Sequence, residues 1–289
     1  MLNNILKQMI SEYKIENDKE RENAIKQIIQ EIVLSGLSRS GFFENVAFCG
    51  GTALRIFYGL DRFSEDLDFS LIKPDKDFKL ERYFPMLEKE LNAFGIKMEI
   101  KEVEKNGTGH VQTAFIKGNT RQLYLLFYTD DKIINRLHRD SLIRIKFEID
   151  ILPPPYAKFE HKIRELPAPY QVQIYDIGSL FAGKLHAVLA RKWRNRTKGR
   201  DLYDFSFYVN KGIKFNLKHL ESRLKQSETI DKNKNLTLKD VREMLNRRFD
   251  SFDYEAAKDD AENFVSNNDV LKIWNANSFK ELTKKLESE

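Results

Sequence analysis

Three consecutive prolines, Pro153-Pro154-Pro155, divide this sequence. Proline fixes φ and lacks a backbone N–H, so the run joins neither a central strand nor a helix interior. Before it, several segments alternate with the period of a strand; after it, the apolar residues recur with the period of a helix. The chain reads as an N-terminal α+β unit, 1–152, followed by an all-helical unit, 153–289, that is expected to complete the active-site cleft.

Within the first unit, KERENAIKQIIQEIVLSGL (19–37) carries Ile25, Ile28, Ile29, Ile32 and Val33 at helical spacing. Val46 to Cys49 is a short apolar run closed by Gly50-Gly51. Thr52 to Tyr58 suits a short helix stopped by Gly59. Asp66 to Leu71 alternates polar and apolar residues as a strand does, and 78–94 reads as a helix started or kinked by Pro85. Strands are expected at 96–104, 110–118, 121–129 and 142–151, with NGTG at 106–109 as a hairpin turn. Beyond the prolines, 175–193, 201–210, 216–226, 238–249, 255–265 and 269–287 read as helices. No internal repeat or low-complexity segment interrupts this order.

The segment FCGGTALRIFYGLDRFSEDLDFSL (48–71) carries the clearest chemistry. Side chains at i and i+2 of a strand share a face, so Asp66 and Asp68 lie side by side with Ser70. Two carboxylates at that spacing repel unless a cation joins them, and Mg²⁺ suits carboxylates combined with phosphate oxygens. A bare D-x-D is more often a solvated edge strand. The upstream Gly50-Gly51 turn weakens that bland reading, because a helix start offers N–H groups to an anion. Thr52 either caps this helix or contacts a phosphate. A third carboxylate is expected in IRIKFEIDI, where Arg144, Lys146, Glu148 and Asp150 share a face. Glu148 is favoured over Asp150, although alternating Lys and Glu on an exposed face also pair across strands.

In YDIGSLFAGKLHAVLARKW, Lys184 falls in or beside the stripe formed by Ile177, Leu180, Phe181, Leu185, Val188 and Leu189. Such a lysine usually snorkels to water, but this one has the alternative of meeting a phosphate. RKWRNRTKGR (191–200) then holds six basic residues and no acidic one, with Trp193 among them. Arginines beside an aromatic suit a nucleic-acid backbone and a stacked base; a charge run is also commonly just a solvated face. Asp201 and Asp204 follow at i, i+3 on one helix face. Asp201 is a candidate helix cap, and Asp204 is a candidate to position an attacking hydroxyl or to hold Lys184.

Taken in order, GGTALRIFYGLDRFSEDLDFSL, KFEI and KLHAVLARKWRNRTKGRDLYDF resemble the AbiEii/AbiGii toxin family. These are nucleotidyltransferases of type IV abortive-infection toxin–antitoxin systems, within the DNA polymerase β-like superfamily. The resemblance covers roughly residues 40–210. It implies a mixed β-sheet flanked by helices and transfer of NMP from an NTP to an acceptor hydroxyl. It implies Mg²⁺ or Mn²⁺ on Asp66, Asp68 and Glu148, and a nucleotide cradled by Gly50, Gly51 and Thr52. Arg55 (a phosphate contact or a structural partner of a carboxylate), Ser64, Lys184, Arg200 and Asp201 are further nucleotide-binding candidates. The closing acidic motif is Asp201 or Asp204, and Asp204 joins Asp66, Asp68, Glu148 and Lys184 as catalytic candidates. Relatives modify the tRNA 3′ acceptor end, so tRNA or another RNA is the expected acceptor, through 191–200. A separate antitoxin protein is the other implied partner.

Basic residues number 49 against 44 acidic, a net +5 that leans only mildly toward anionic partners. The lone Cys49 excludes an intrachain disulfide and suggests a reducing compartment. No signal peptide or membrane span is read, so the expected location is cytoplasmic. No G-x-x-x-x-G-K-[ST] occurs, and His138-Arg139-Asp140 lacks the rest of a kinase signature. Cys49 reads as packing rather than as a nucleophile. Two rivals stay in view: a D-x-D glycosyltransferase using a nucleotide sugar, and a non-catalytic binding protein on a nucleotidyltransferase fold.

Overall fold

The computed structural model describes residues 4–103, 110–128, 138–191, 198–265 and 267–289. The expected turn at 106–109 lies outside the described residues, as do Trp193 and the rest of 192–197. The chain forms two compact units. Residues 1–52, 64–153 and 161–174 make the first; 53–63, 154–160 and 175–289 make the second. The chain therefore crosses over at Pro153-Pro154, but segment 53–63 joins the later residues and 161–174 returns to the earlier ones.

The first unit begins with helices α1 (Asn4–Ser11) and α2 (Asp18–Arg39). The Asn17 side chain caps α2 by accepting from the Glu20 N–H, which satisfies one of the orphan donors at the helix start. A mixed seven-stranded sheet follows, in spatial order β3-β4-β5-β2-β1-β7-β6. Its strands are β1 (Val46–Cys49), β2 (Leu67–Leu71), β3 (Glu99–Val103), β4 (Val111–Asn119), β5 (Leu142–Asp150), β6 (Phe159–Arg164) and β7 (Tyr170–Tyr175). At the centre, β2 pairs antiparallel with β1 and parallel with β5. Helices α3 (Gly50–Tyr58), α4 (Phe84–Ala93) and α5 (Thr120–Phe127) also precede the prolines.

Two expectations change here. A strand is expected over 121–129, but Thr120–Phe127 form α5; residue 129 lies outside the described residues. Leu123, Tyr124 and Phe127 are buried at helical spacing, and the Asn119 side chain caps the helix by accepting from the Gln122 N–H. The strands also do not stop at the prolines, since β6 and β7 add to the β1 side of the sheet. In β7 Tyr170, Val172 and Ile174 turn inward with strand period, a signal too short to stand out between Pro169 and a long helix.

The core of the first unit is aromatic. Phe42 is fully buried and meets Phe43, Phe69, Tyr83 and Phe147 edge-on, with ring centroids 4.8–6.0 Å apart. Phe69 and Phe147 come from β2 and β5, so this cluster sets the seam on which the acidic residues ride. The second unit holds α6 (Ile177–Ala190), α7 (Gly199–Asn210), α8 (Leu217–Gln226), α9 (Leu238–Phe249), α10 (Tyr254–Glu262) and α11 (Ala276–Lys284). The helix expected over 269–287 is a 3₁₀ turn, Asn268–Leu271, followed by α11, which Asn275 caps. Phe205, Phe249 and Phe279 pack together inside it. Among the described residues no helix is long and apolar enough to cross a membrane.

Phe42→Ala removes the hub of the first unit's core. It is expected to lower the unfolding free energy by about 3–5 kcal/mol, read from urea denaturation.

Candidate functional site

The sequence of the first unit brings the glycine turn onto the acidic strand. Cys49, the last residue of β1, is the register partner of Asp68 on β2. Gly50 follows with φ +77°, a left-handed conformation that disfavours any side chain. A Cβ built on Gly50 falls 2.2 Å from Oδ2 of Asp68. The start of α3 and the Asp68 carboxylate therefore touch only because this residue has no side chain. The buried Thr52 donates its hydroxyl proton to the backbone carbonyl of Asp66. That proton is spent within the protein and is not offered to a phosphate. The helix starts at Gly50 itself, so Thr52 is not its cap.

The other side of the acidic segment is held by α2. The buried Gln30 side-chain amide donates to the carbonyls of Ser64 and Glu65, at 3.1 and 2.9 Å. Lys26 meets the Glu65 carboxylate at 3.0 Å. Ser64 thus enters the site through its backbone. Neither Gln30 nor Lys26 stands out in the sequence, because a polar residue in a helical run carries no sign of what it reaches.

On β5, Glu148 is the register partner of Asp68 and Asp150 that of Ser70. Glu148 accepts from the Thr113 hydroxyl at 3.3 Å and pairs with Lys146 at 2.7 Å. Asp150 accepts from the Leu152 N–H, closing the end of its own strand. Among the described residues no three His, Cys, Asp or Glu side chains converge closely enough to enclose a metal ion. The donor chemistry still fits a hard divalent cation: carboxylates on neighbouring strands, with a glycine giving backbone access beside them.

The second unit holds a separate set of charges. Arg62 and Asp204 are buried together and joined by two hydrogen bonds of 2.6 Å. Lys184 on α6 reaches Asp201 at 2.6 Å and Asp204 at 2.8 Å, and Arg191 reaches Asp201 at 2.7 Å. Burial alone would raise both carboxyls. Arg62 and Lys184 instead hold Asp204 below the ordinary aspartate value, and Lys184 and Arg191 do the same for Asp201. Asp201 is expected as a cap, yet α7 begins at Gly199 and the Asp201 carboxylate turns to the cations. Asp204 has 0% exposure and is the anchor of this network. Arg62 is missed in the sequence because it lies in a loop 142 residues from its partner.

Two further candidates lie apart from this network. Arg55 stacks on the Phe63 ring at 3.9 Å and donates to the Leu60 carbonyl, so the contacts found for it tie the end of α3 to the loop after it. Arg200 lies over the Phe264 ring at 4.0 Å, with Nε 3.6 Å from the Asp260 carboxylate.

The sequence model of the family described as nucleotidyl transferase AbiEii toxin, type IV TA system, matches residues 32–281. No curated protein matches the sequence. Among solved structures, a proposed nucleotidyltransferase from H. pylori is similar at 18% identity and a TM-score of 0.46, over 93% of this chain and 95% of its own. JHP933 from Helicobacter pylori is similar at 20% identity and a TM-score of 0.46, over 94% of this chain and 90% of its own. Both are distant likenesses.

Gly50→Ala must strain the backbone or push Asp68 aside. It is expected to cost at least about 1–3 kcal/mol in thermal or urea unfolding. Asp204→Asn leaves a buried arginine without its counter-charge and is expected to cost about 3–5 kcal/mol at neutral pH. Because the folded Asp201 and Asp204 are depressed, their stabilisation is full above the ordinary aspartate pKa. It is lost as pH falls through the lower folded values. Stability measured below about pH 4 is therefore expected to fall less steeply in Asp204→Asn than in the wild type.

Proposed function

The chain belongs to the AbiEii nucleotidyl transferase toxin family, whose model spans 32–281, and from that premise we propose a divalent-metal-dependent transfer of NMP from an NTP to an RNA hydroxyl. Nucleotidyl transfer is the activity of the family. The metal, the RNA acceptor and the residue roles are the proposal. One observation carries it: Asp68 on β2 lies in register with Glu148 on the neighbouring β5 and within van der Waals reach of Gly50 at a helix start.

Asp66, Asp68 and Glu148 are assigned to hold Mg²⁺ or Mn²⁺. Glu148 is preferred to Asp150 because it is Asp68's register neighbour, while Asp150 accepts from the backbone of Leu152. When bound, such an ion neutralises charge on the phosphates undergoing in-line displacement. The N–H groups of Gly50 and Gly51 are assigned to the triphosphate, in keeping with anion binding at helix starts. Thr52 and Gln30 hold the backbone of the acidic segment in place from either side. Lys184 is assigned to the nucleotide's phosphates, with Asp201 and Asp204 holding its side chain and Arg62 holding Asp204.

For the acceptor, the basic stretch 191–200 supports RNA, since six cations with no acid match a phosphate backbone. The tRNA 3′ end is the specific acceptor proposed, as family relatives modify it. A separate antitoxin partner follows from the type IV toxin–antitoxin family.

Total cellular RNA incubated with each NTP labelled at the α-phosphate tests this directly. Label from one or more nucleotides is expected to enter a tRNA-sized band. The paired change Asp66→Ala and Asp68→Ala is expected to reduce it by at least about 100-fold. Undiminished labelling by the double variant would refute the metal assignment.

A further inference from the structure

We propose that Lys146 is a resident counter-ion of the acidic site: it holds Glu148 while no metal is bound and releases that carboxylate to an incoming divalent cation. This rests on the metal assignment above and concerns a residue to which that assignment gives no role.

The placement follows from strand geometry. Lys146 and Glu148 stand two residues apart on β5 and so share a face. Glu148 is the register partner of Asp68 on β2, so Lys146 stands one same-face position along β5 from that pair. The lysine thus belongs to the same patch of sheet as the acidic residues. Its ammonium lies 2.7 Å from Oε2 of Glu148, and the Thr113 hydroxyl donates to Oε1 at 3.3 Å. Both oxygens of the third acidic residue are therefore engaged by donors of the protein itself.

Carboxylates on adjacent strands repel each other, and a nearby ammonium relieves that repulsion. Exposure decides whether the arrangement is permanent. The Lys146 and Glu148 side chains are 35% and 24% exposed. A pair so open to water is screened and contributes only about 0–1 kcal/mol. A divalent ion carries twice the charge of the ammonium and is favoured at the same carboxylate once present. The long aliphatic stem of lysine lets the ammonium move back into water without disturbing the strand.

The test is Mn²⁺ binding to the full chain without nucleotide, followed by calorimetry, for wild type, Lys146→Gln, Lys146→Arg and Asp68→Asn. Removing the competing charge in Lys146→Gln is expected to tighten Mn²⁺ binding about fivefold, the equivalent of roughly 1 kcal/mol. Lys146→Arg keeps the charge and offers carboxylates a two-pronged partner, so its Mn²⁺ binding is expected to be equal to or weaker than wild type. In EDTA, Lys146→Gln is expected to melt at a lower temperature than wild type and to regain more of it on Mn²⁺ addition. Equal or weaker Mn²⁺ binding by Lys146→Gln, or tighter binding by Lys146→Arg, would overturn the counter-ion role while leaving the metal site standing. Wild-type binding no stronger than that of Asp68→Asn would overturn the metal site, and the role of Lys146 with it.

Discussion

The missing side chain at Gly50 is the constraint on which the acidic site depends. It lets the chain turn out of β1 with positive φ directly against Asp68, where a Cβ would overlap the carboxylate. Everything next to that contact is fixed in turn. Cys49 pairs with Asp68 along the sheet, Thr52 ties the new helix to the Asp66 carbonyl, and Gln30 grips the two residues ahead of it. Each such bond contributes only about 1 kcal/mol net. Together they hold the backbone of the acidic segment in place, and a slip of one residue in β2 would turn Asp68 to the core.

The charges of the second unit obey a different economy. Arg62 and Asp204 are buried, so their desolvation offsets much of their attraction. Such a pair is a poor source of net stability but an exacting one of geometry, because either partner alone would be a buried bare charge. Asp201 and Asp204, one turn apart, accept from Arg62, Lys184 and Arg191. Three cations against two carboxylates leave one unit of positive charge, which suits a set assigned to phosphates. A fully buried, depressed Asp204 is in turn poorly suited to take a proton from an attacking hydroxyl, so holding its two cations is the better account of it.

Legibility in the sequence followed the range of each interaction. The Gly-Gly turn and Asp-Leu-Asp strand lie within one short segment and were readable together, as was the alternation that sets Glu148 on a strand. Asp201 and Asp204 were readable as a pair by helical spacing. Arg62 was not, because its partner lies on a distant helix, and Gln30 was not, because its role is to meet two loop carbonyls. The misread of 121–129 has a similar origin. RQLYLLFYT is rich in residues that favour strands, and only the capping Asn119 and the inward placing of Leu123, Tyr124 and Phe127 decide for a helix. β6 and β7 were hidden because the proline boundary suggested that sheet formation had ended, whereas the chain returns to the β1 side after it.

Comparing the two sets of ion pairs shows why one carboxylate is open to exchange and another is not. Glu148 shares its lysine with water at 24% exposure, whereas Asp204 has none. The Coulomb attraction at similar distance is much greater in the buried pair, since little solvent screens it. Displacing Lys184 or Arg62 would strand charge in a low-dielectric interior at a cost of several kcal/mol. Displacing Lys146 strands nothing, because its ammonium is solvated as it leaves. The same chemical pairing, lysine on carboxylate, therefore serves opposite ends in one chain. Where it is dry it fixes a side chain, and where it is wet it keeps a carboxylate in position until a stronger cation takes it.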